Sequence, residues 1–492
     1  MLFFLPALLL AAPPAEPEDL AQRLKEFTAV YSAVERQAAD PVAPDKAILG
    51  GAIPGLLRCL DPHSVFFDAD QFDQLKELEK STRKGFGSVV SVLPGRVIVL
   101  QVLAGTPASK SGIAPGDEII AINGIQLARL DLDQLIGLLT QSRQQPARLD
   151  VRRPGNARLL VITLTPAEVQ SPSVDRAFLL RPGVGYLRVT SFDAETGSQI
   201  RQAIEKLGGS RLAGLVLDLR NNPGGLLPAA LDTAAMFLKP GQTLLSVRGR
   251  AVQSAAERVP KTAAPYQFPL AVLVNEKTAS AAEIVAGALQ DHDRAAILGE
   301  PSYGKGLVES VFPLSENTGL ALTTAYYYTP SGRSIQRPLH DSRIRQSSIS
   351  ERWEQQREFR TDAGRLVRGG GGIQPDYEVP PEPLTRFRIA LETSGAFPSF
   401  ATDLTRGRDP IPSDYEVTPA LLDQFQVYLS ERNIRPGVAE WTAERSWIST
   451  RLKQEIFNQS LGVERGDEVE AQRDPVIAAA LEKLSAPAKS GD

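Results

Sequence analysis

The residues best suited to chemistry surround Ser280, within the stretch Val272 to Val285. There an apolar strand ends, small residues turn the chain, and a helix begins. A serine at such a junction stands where backbone N–H groups and the helix dipole converge, which suits nucleophilic attack with stabilisation of an oxyanion. Ser280 followed by Glu283 also fits an ordinary capping box, in which the serine oxygen accepts a backbone N–H three residues on. The pattern alone leaves both interpretations open.

A nucleophilic serine needs a base, and histidine is scarce. The chain has three histidines, and none has an evident catalytic role in the sequence: His63, His292 and His340. Lysine can replace histidine when burial and neighbours depress its pKa. Lys305 lies between Gly304 and Gly306, and these glycines allow its backbone to approach other elements closely. Lys305 is therefore a candidate base.

The histidines also bear on metal binding. None has a second His or Cys at ligand spacing, and the single cysteine, Cys59, has no partner for an internal disulfide. A metal site built by the protein needs several such ligands at short spacing. We therefore expect no metal and no other cofactor.

An alternative function arises from the segment Gly299 to Lys305, which has the G-x-x-x-x-G-K spacing of a phosphate-binding loop. The next position argues against it. Gly306 stands where a Ser or Thr hydroxyl should hold Mg²⁺, and Leu307 and Val308 continue as a strand instead of opening a helix. An NTPase would need the strand, loop and helix in that order.

Composition limits the remaining classes. The 492 residues are 42% apolar and 23% charged, as in soluble globular proteins, and their number suggests several domains of ~150 residues each. The net charge of −4 gives no broad attraction to nucleic acid. Peptides, proteins or small molecules remain as partners, and the composition allows a homo-oligomer.

The N-terminal residues 1–14 are almost wholly apolar and resemble the hydrophobic core of a secretory signal. The run is too short to span a bilayer comfortably, and no Lys or Arg precedes it. We expect an exported protein that is periplasmic or otherwise extracytoplasmic. A short membrane anchor, giving membrane association, and a misassigned start are the alternatives.

Patterning predicts a multidomain α/β protein. Apolar residues at helical spacing indicate a helical N-terminal module over 15–84, and short β-branched runs with one amphipathic helix indicate a small β-rich domain over 85–168. Alternating strands and helices over 169–383 indicate an α/β core. Helical spacing returns over 384–492, which predicts a helical C-terminal module without a chemical motif.

The β-rich segment resembles a PDZ domain in its ordered motifs: Gly85-Phe86-Gly87 before a strand, Gly112 to Ile120, and Asn123-Gly124. In that family the glycine loop directs backbone N–H groups at a terminal carboxylate, and the following strand accepts the peptide by strand addition. The resemblance implies peptide binding by Gly85, Phe86, Gly87 and Ser88.

Taken together, the motifs resemble the carboxyl-terminal processing peptidases, also called tail-specific proteases. They run in the family's order from Asp61 to Asp376, and they are Leu60-Asp61-Pro62-His63-Ser64, the PDZ segment, Leu217 to Gly225, Thr278 to Glu283, Gly304-Lys305-Gly306, Thr329 to Arg333 and Gly372 to Asp376. The resemblance implies a serine endopeptidase with Ser280 as nucleophile and Lys305 as base. It further implies an oxyanion hole from the N–H of Ala281 and one from Gly224 or Gly225.

One position departs from the family's pattern. Glu309 stands four residues after Lys305, where the family usually has a glutamine that orients the base. A nearby carboxylate favours the protonated ammonium and so opposes its use as a general base. We expect a protease that acts on protein or peptide substrates with free C-termini, with a lowered rate or an alkaline optimum. The alternative is a catalytically impaired PDZ scaffold that binds peptides without turnover.

Overall fold

The computed structural model describes residues 2–3, 17–78, 82–250, 254–314, 317–338, 358–405 and 410–485. Apart from Leu2 and Phe3, the predicted signal-like segment at residues 1–14 lies outside the described residues. The fold confirms the predicted architecture: an α/β core carries a PDZ domain and is flanked by helices at both termini. The exact domain boundaries stay predictions.

The N-terminal module is mainly helical and has little core of its own. Between residues 19 and 60, all described, Leu57 is the only fully buried residue. The module is held to the rest of the protein by its short strand, which pairs with a strand of the core. Its elements are β1 (Leu2–Phe3), α1 (Pro17–Gln37), α2 (Pro44–Ala47), a π-helical turn (Ile48–Ala52), α3 (Ile53–Arg58), β2 (Val65–Phe67) and α4 (Ala69–Leu78).

The PDZ domain is a six-stranded antiparallel sheet closed by one main helix. That helix begins with a capping box, in which the Asp131 carboxylate accepts the Gln134 N–H and the Gln134 side chain accepts the Asp131 N–H. Its elements are β3 (Thr82–Gly85), β4 (Ser88–Leu93), β5 (Arg96–Val102), α5 (Pro107–Lys110), β6 (Glu118–Ile122), β7 (Ile125–Gln126), α6 (Leu132–Ser142), β8 (Ala147–Arg152), β9 (Leu160–Leu164) and β10 (Ala167–Gln170). β4 lies at the edge of the sheet order β4-β5-β6-β8-β9, with β7 on β6, while β3 and β10 form a separate ribbon.

The core contains two sheets. The first has the order β11-β12-β13-β16-β17-β22 and is parallel except for β11; the second has the order β1-β18-β19-β14-β15, with β2 added to β19. The strands are β11 (Val174–Arg181), β12 (Val184–Val189), β13 (Gly214–Asp218), β14 (Thr243–Arg248), β15 (Ala255–Arg258), β16 (Leu270–Val274), β17 (Ala296–Gly299), β18 (Leu307–Pro313), β19 (Gly319–Tyr328), β20 (Phe359–Arg360), β21 (Leu366–Val367) and β22 (Tyr377–Glu378). The helices are α7 (Thr196–Leu207), α8 (Leu227–Ala235) and α9 (Ala281–Asp291).

Helix α9 is the central helix of the core, since every one of its residues is buried. Its residues are mostly small or apolar, as expected of a helix enclosed by other elements, and the polar exceptions are Glu283 near its start and Gln290 and Asp291 at its end. It follows β16, whose five residues are also all buried. The predicted junction of strand, turn and helix around Ser280 therefore lies deep in the fold.

The C-terminal helices contact both other folded units. The helices are α10 (Arg386–Ser394), α11 (Ala396–Thr405), α12 (Pro419–Glu431), α13 (Val438–Ser460), α14 (Val463–Ala471) and α15 (Pro475–Ser485). Val476 and Ile477 of α15 pack against the core sheet. Arg96 and Gln101 of the PDZ domain hydrogen-bond to Ser399 and to the Val463 N–H of this module. No described helix combines the length and apolar character needed to cross a bilayer.

The far end of α9 is fixed by a buried ion pair. Arg333, with no exposed surface, donates to Asp291 at 2.8 Å and also to Gln290 Oε1 and the Arg368 carbonyl. Removing one partner of such a pair leaves an uncompensated buried charge. The Thr329 to Arg333 motif is thus explained as a structural tie between β19 and α9.

We predict that Asp291→Ala lowers the free energy of unfolding by about 3–5 kcal/mol, because it leaves the Arg333 guanidinium buried without a carboxylate. Urea unfolding followed by circular dichroism measures the loss. The matched control is Asp232→Ala, which breaks an exposed pair with Arg201 and should change stability by about 1 kcal/mol or less. Equal losses of stability in the two variants would contradict a stabilising role of the buried pair between Asp291 and Arg333.

Candidate active site

Ser280 ends the turn between β16 and α9 in an unusual backbone conformation, with φ 54° and ψ −117°. A non-glycine residue at positive φ is strained by ~1–3 kcal/mol and persists only where its surroundings fix it. The turn is fixed by the Ala279 N–H, which donates to the Asn222 carbonyl, and by the Thr278 hydroxyl, which donates to the Leu219 carbonyl. The backbone is therefore set by contacts with the neighbouring loop after β13.

The Ser280 hydroxyl does not form the capping interaction that the sequence left open. Its Oγ is buried and has no hydrogen-bond partner among the described residues. Only the reciprocal half of the capping box forms, in which the Glu283 carboxylate accepts the Ser280 N–H at 2.8 Å. A buried hydroxyl left without a partner is unusual and is a feature of functional sites.

The Glu283 carboxylate joins the serine turn to the lysine loop. Its Oε2 accepts the N–H groups of Ser280 and Lys305, at 2.8 and 2.9 Å, and its Oε1 accepts the Gly304 N–H at 2.7 Å and the Ser302 hydroxyl at 2.5 Å. The Ser302 hydroxyl itself accepts the Ile373 N–H, so its proton is directed at Glu283. Burial raises the pKa of Glu283, and the four donors oppose that effect. Four donors match the acceptor capacity of an ionised carboxylate.

A tyrosine makes a second connection between the same two segments. The buried Tyr327 hydroxyl lies 2.7 Å from the Lys305 carbonyl and 3.2 Å from the Ser280 carbonyl. Burial, followed by the nearby Glu283 charge, raises the pKa of Tyr327 well above its usual value, so the hydroxyl stays a donor. The backbones of Ser280 and Lys305 are thus held together through both their N–H and their C=O groups.

The Lys305 side chain is mostly buried and faces Glu309, with Nζ 3.0 Å from Oε1 of that carboxylate. The sequence analysis expected a carboxylate near Lys305, and this contact is present. The Asp61 to Ser64 loop brings His63 to the same carboxylate. His63 Nδ1 lies 3.7 Å from the same Oε1.

His63 is a site residue that the sequence analysis missed. It belongs to the motif Leu60-Asp61-Pro62-His63-Ser64, which the sequence analysis used only for the family resemblance. No role was assigned to His63, because no local pattern indicates that it lies near Glu309. Burial, followed by the positive charge of Lys305, lowers the pKa of His63, while Glu309 and Asp61 raise it by smaller amounts. The ring is therefore biased towards its neutral form.

The glycine turn after β13 lies directly against the serine. A Cβ at position 224 would be 2.9 Å from the Ala281 nitrogen and 2.9 Å from Ser280 Cβ, and one at position 225 would be 2.1 Å from the Phe192 carbonyl oxygen. The Gly224 N–H is already engaged, since it donates to Asn222 Oδ1 at 2.8 Å. In this conformation the Gly224 N–H is therefore not available to an oxyanion, and the predicted donor roles of Gly224, Gly225 and Ala281 stay predictions.

The predicted peptide-binding loop of the PDZ domain lies between β3 and β4. Gly87 has a φ of 77°, and a Cβ there would overlap Thr106. The Phe86 and Gly87 carbonyls accept N–H groups of Ala108 and Leu103, which fixes the loop against α5. Beside it, the edge strand β4 and the partly exposed Leu132 and Ile136 of α6 border a surface suited to an extended peptide.

The α/β core carries a PDZ domain and holds a buried serine, without a hydroxyl partner among the described residues, at a strained turn joined to a lysine loop. This combination defines a serine-type peptidase. Sequence comparison agrees with that class: residues 183–342 match Peptidase family S41, and residues 98–153 match a PDZ domain. A carboxy-terminal-processing protease of Bartonella bacilliformis is 36% identical over 324 residues, which are 65% of this chain and 74% of that protein. The corresponding protease of Synechocystis is 35% identical over 58% of this chain and 67% of its own length.

The chain belongs to the carboxyl-terminal processing proteases of peptidase family S41, as the sequence resemblance predicted. Among solved structures, a photosystem II D1 C-terminal processing protease is similar to 73% of this chain and 88% of its own, at 27% identity and a TM-score of 0.41.

We predict that Glu283→Gln lowers kcat/KM by at least about 100-fold, because one of the two acceptor oxygens becomes an NH2 group that faces other donors, which separates the lysine loop from the serine turn. The loss should lie mainly in kcat. Peptide hydrolysis kinetics measure it, and Glu276→Gln, an exposed change in the same turn, is the control. Wild-type kinetics for Glu283→Gln in a folded protein would refute the positioning role of this carboxylate.

Proposed function

We propose that this protein is an endopeptidase that cleaves protein substrates at or near their C-terminus with Ser280 as nucleophile and Lys305 as general base. The observation that carries the proposal is the shared Glu283 oxygen. Both backbone nitrogens lie within hydrogen-bonding distance of it, so they are no more than about 6 Å apart. The two segments are therefore near enough for their side chains to face one pocket, and the Ser280 hydroxyl has no competing partner among the described residues.

The reaction follows acyl-transfer chemistry. The uncharged Lys305 amine takes the Ser280 proton as the oxygen attacks the peptide carbonyl. The resulting ammonium returns that proton to the leaving amine, which frees the C-terminal fragment. Water then attacks the acyl-enzyme carbonyl while the Lys305 amine takes one of its protons. The bond between the carbonyl carbon and Ser280 Oγ breaks, the Lys305 ammonium returns that proton to the serine oxygen, and the new carboxylic acid leaves.

The oxyanion of the tetrahedral intermediate needs two fixed N–H donors. The Ala281 N–H is at the start of α9, where the helix dipole adds favourable charge. We assign the second donor to the Gly225 N–H. The Gly224 N–H would first have to break its hydrogen bond to Asn222 Oδ1. In either case positions 224 and 225 must lack side chains, because this turn lies directly against Ser280 on one side and Phe192 on the other.

Substrate capture is assigned to the PDZ domain, where Gly85, Phe86, Gly87 and Ser88 would hold a free C-terminal carboxylate and β4 would pair with the adjoining residues. At the core, the outer edge of β18 already pairs with Leu2–Phe3 at Glu309 and Ser310. That edge is thus able to hold an extended chain beside Lys305. The apolar residues 1–14 support the proposal that the protease is exported.

The alternative function, a PDZ scaffold without turnover, is favoured by one observation. The Glu309 carboxylate lies 3.0 Å from Lys305 Nζ, so the two side chains form an ion pair. A lysine held in that pair is not available to accept the Ser280 proton. The rate of serine-dependent hydrolysis separates the two functions.

We predict that a serine-directed phosphonate labels Ser280 in the wild type, and that both Ser280→Ala and Lys305→Ala abolish hydrolysis of a fluorogenic peptide. Lys305→Ala should also suppress labelling, because the hydroxyl then has no base. Intact-mass spectrometry reports labelling, and Lys277→Ala, an exposed change in the serine turn, is the control. A wild type that binds C-terminal peptides without hydrolysing them would establish the scaffold instead.

We predict that Glu309→Gln raises kcat/KM at neutral pH about tenfold, because the amide removes the negative charge that lies 3.0 Å from the Lys305 nitrogen and keeps a side chain of the same size. Peptide hydrolysis kinetics measure the change. Kinetics that coincide with the wild type in a folded variant would contradict an electrostatic effect of Glu309.

A further inference from the structure

We propose that Asp474, in the C-terminal helical module, is a positioning residue that fixes the oxyanion turn through Arg220. The oxyanion turn is defined as residues 219–225, which follow β13 and include Gly224 and Gly225. The inference rests on the proposed peptidase function, in which these glycines border the oxyanion. The sequence predicted no chemical motif in the C-terminal module, yet one of its carboxylates reaches this turn.

Arg220 is the second residue of the oxyanion turn, and its guanidinium bridges two carboxylates. Nη2 and Nε donate to Asp218, at 2.6 and 3.0 Å, and Nη1 donates to Asp474 Oδ2 at 2.6 Å. The Tyr186 hydroxyl also donates to Asp218, at 2.7 Å. Burial lowers the pKa of Arg220, but the Asp218 and Asp474 carboxylates outweigh it and raise that pKa above its usual value. Arg220 is thus held by the core on one side and by the C-terminal module on the other.

Close packing does not fix the turn on this side, because a cavity of about 730 Å³ lies here between the core and the C-terminal helices. Arg220 and Asn221 line it from the core, and Asp474 lines it from the helices. The pair between Arg220 and Asp474 connects the two walls, with side chains that are 20% and 18% exposed. Partly buried charges are screened less than exposed ones. The position of Arg220 therefore depends on this ion pair.

The contacts of the next two residues connect Arg220 to the glycines. Asn221 has a φ of 59°, a strained conformation that only its surroundings can maintain. The Asn222 carbonyl accepts the Ala279 N–H of the serine turn, and Asn222 Oδ1 accepts the Gly224 N–H. A displacement of Arg220 therefore reaches both Gly224 and the serine turn through these bonds.

Asp474 also caps helix α15, and its two roles use different oxygens. Its Oδ1 accepts the N–H groups of Val476 and Ile477, at 2.8 and 3.2 Å, whereas Oδ2 accepts the Arg220 donor. Asparagine caps helices as well as aspartate does. Asp474→Asn keeps a capping oxygen but places an NH2 group against the guanidinium. The positioning role can therefore be tested apart from the cap.

The test uses the full-length enzyme with Asp474→Asn and, as the matched control, Asp467→Asn. Asp467 of α14 pairs across the same interface with Arg176 and Arg188, which lie on β11 and β12 and not on the oxyanion turn. We expect Asp474→Asn to lower kcat about tenfold with KM within about twofold, because a displaced oxyanion donor weakens binding of the transition state more than that of the substrate. Asp467→Asn should leave kcat unchanged.

A second change, Arg220→Gln, shows whether Asp474 acts through the guanidinium. In that background Asp474→Asn should have little further effect on kcat, since both changes break the same interaction. Equal losses of kcat in Asp474→Asn and Asp467→Asn, additive losses in the double variant, or a loss confined to KM would overturn the proposal. Each of these results leaves the Ser280 chemistry intact, whereas hydrolysis that persists in Ser280→Ala would refute the proposed function itself.

Amide hydrogen exchange tests the same contact without turnover. Asp474→Asn should raise the exchange rates of the Gly224 and Ala279 N–H groups at least about fivefold, because both donate to Asn222 of the oxyanion turn. The Val476 N–H should stay protected, because the cap of α15 remains. Unchanged exchange at Gly224 in folded Asp474→Asn would overturn the proposal even in a protein that does not hydrolyse peptides.

Discussion

The arrangement of the site depends on one buried carboxylate. Glu283 accepts four donors that belong to two segments far apart in the chain: Ser280 on one side, and Ser302, Gly304 and Lys305 on the other. A buried carboxylate is stable only if its charge is compensated by such bonds, so the requirement to satisfy Glu283 also assembles the site. The same contacts hold Ser280 in its strained conformation, and the Tyr327 hydroxyl strengthens the connection from the carbonyl side.

Much of the fold follows from local pattern. The all-apolar run Leu270–Val274 predicts a buried strand, the small residues after it a turn, and the apolar run from Ala281 a helix, and all three form. The order of motifs predicts the PDZ domain and the peptidase core, and the comparisons confirm both. The N-terminal and C-terminal segments were predicted correctly as helical because apolar residues recur there at helical spacing.

What the sequence did not reveal depends on long-range contacts. Glu283 fits the pattern of a capping residue, and only the fold brings Gly304 and Lys305 to its other lone pairs. The hydroxyl of Ser280 would cap the helix if the local pattern prevailed, but it is left without a partner among the described residues, in a residue at positive φ. His63 and Glu309 meet only because β2 pairs with β19 next to β18, a pairing that no local pattern encodes.

The central claim is that Glu283 makes the serine turn and the lysine loop one structural unit. Native-state amide hydrogen exchange at Ser280, Gly304 and Lys305 tests it most directly, because all three N–H groups donate to that carboxylate. The account predicts that the three amides are strongly protected, exchange through a single opening event, and lose protection together when Glu283 is replaced by glutamine. Rapid exchange at Gly304 and Lys305 while Ser280 stays protected would contradict it.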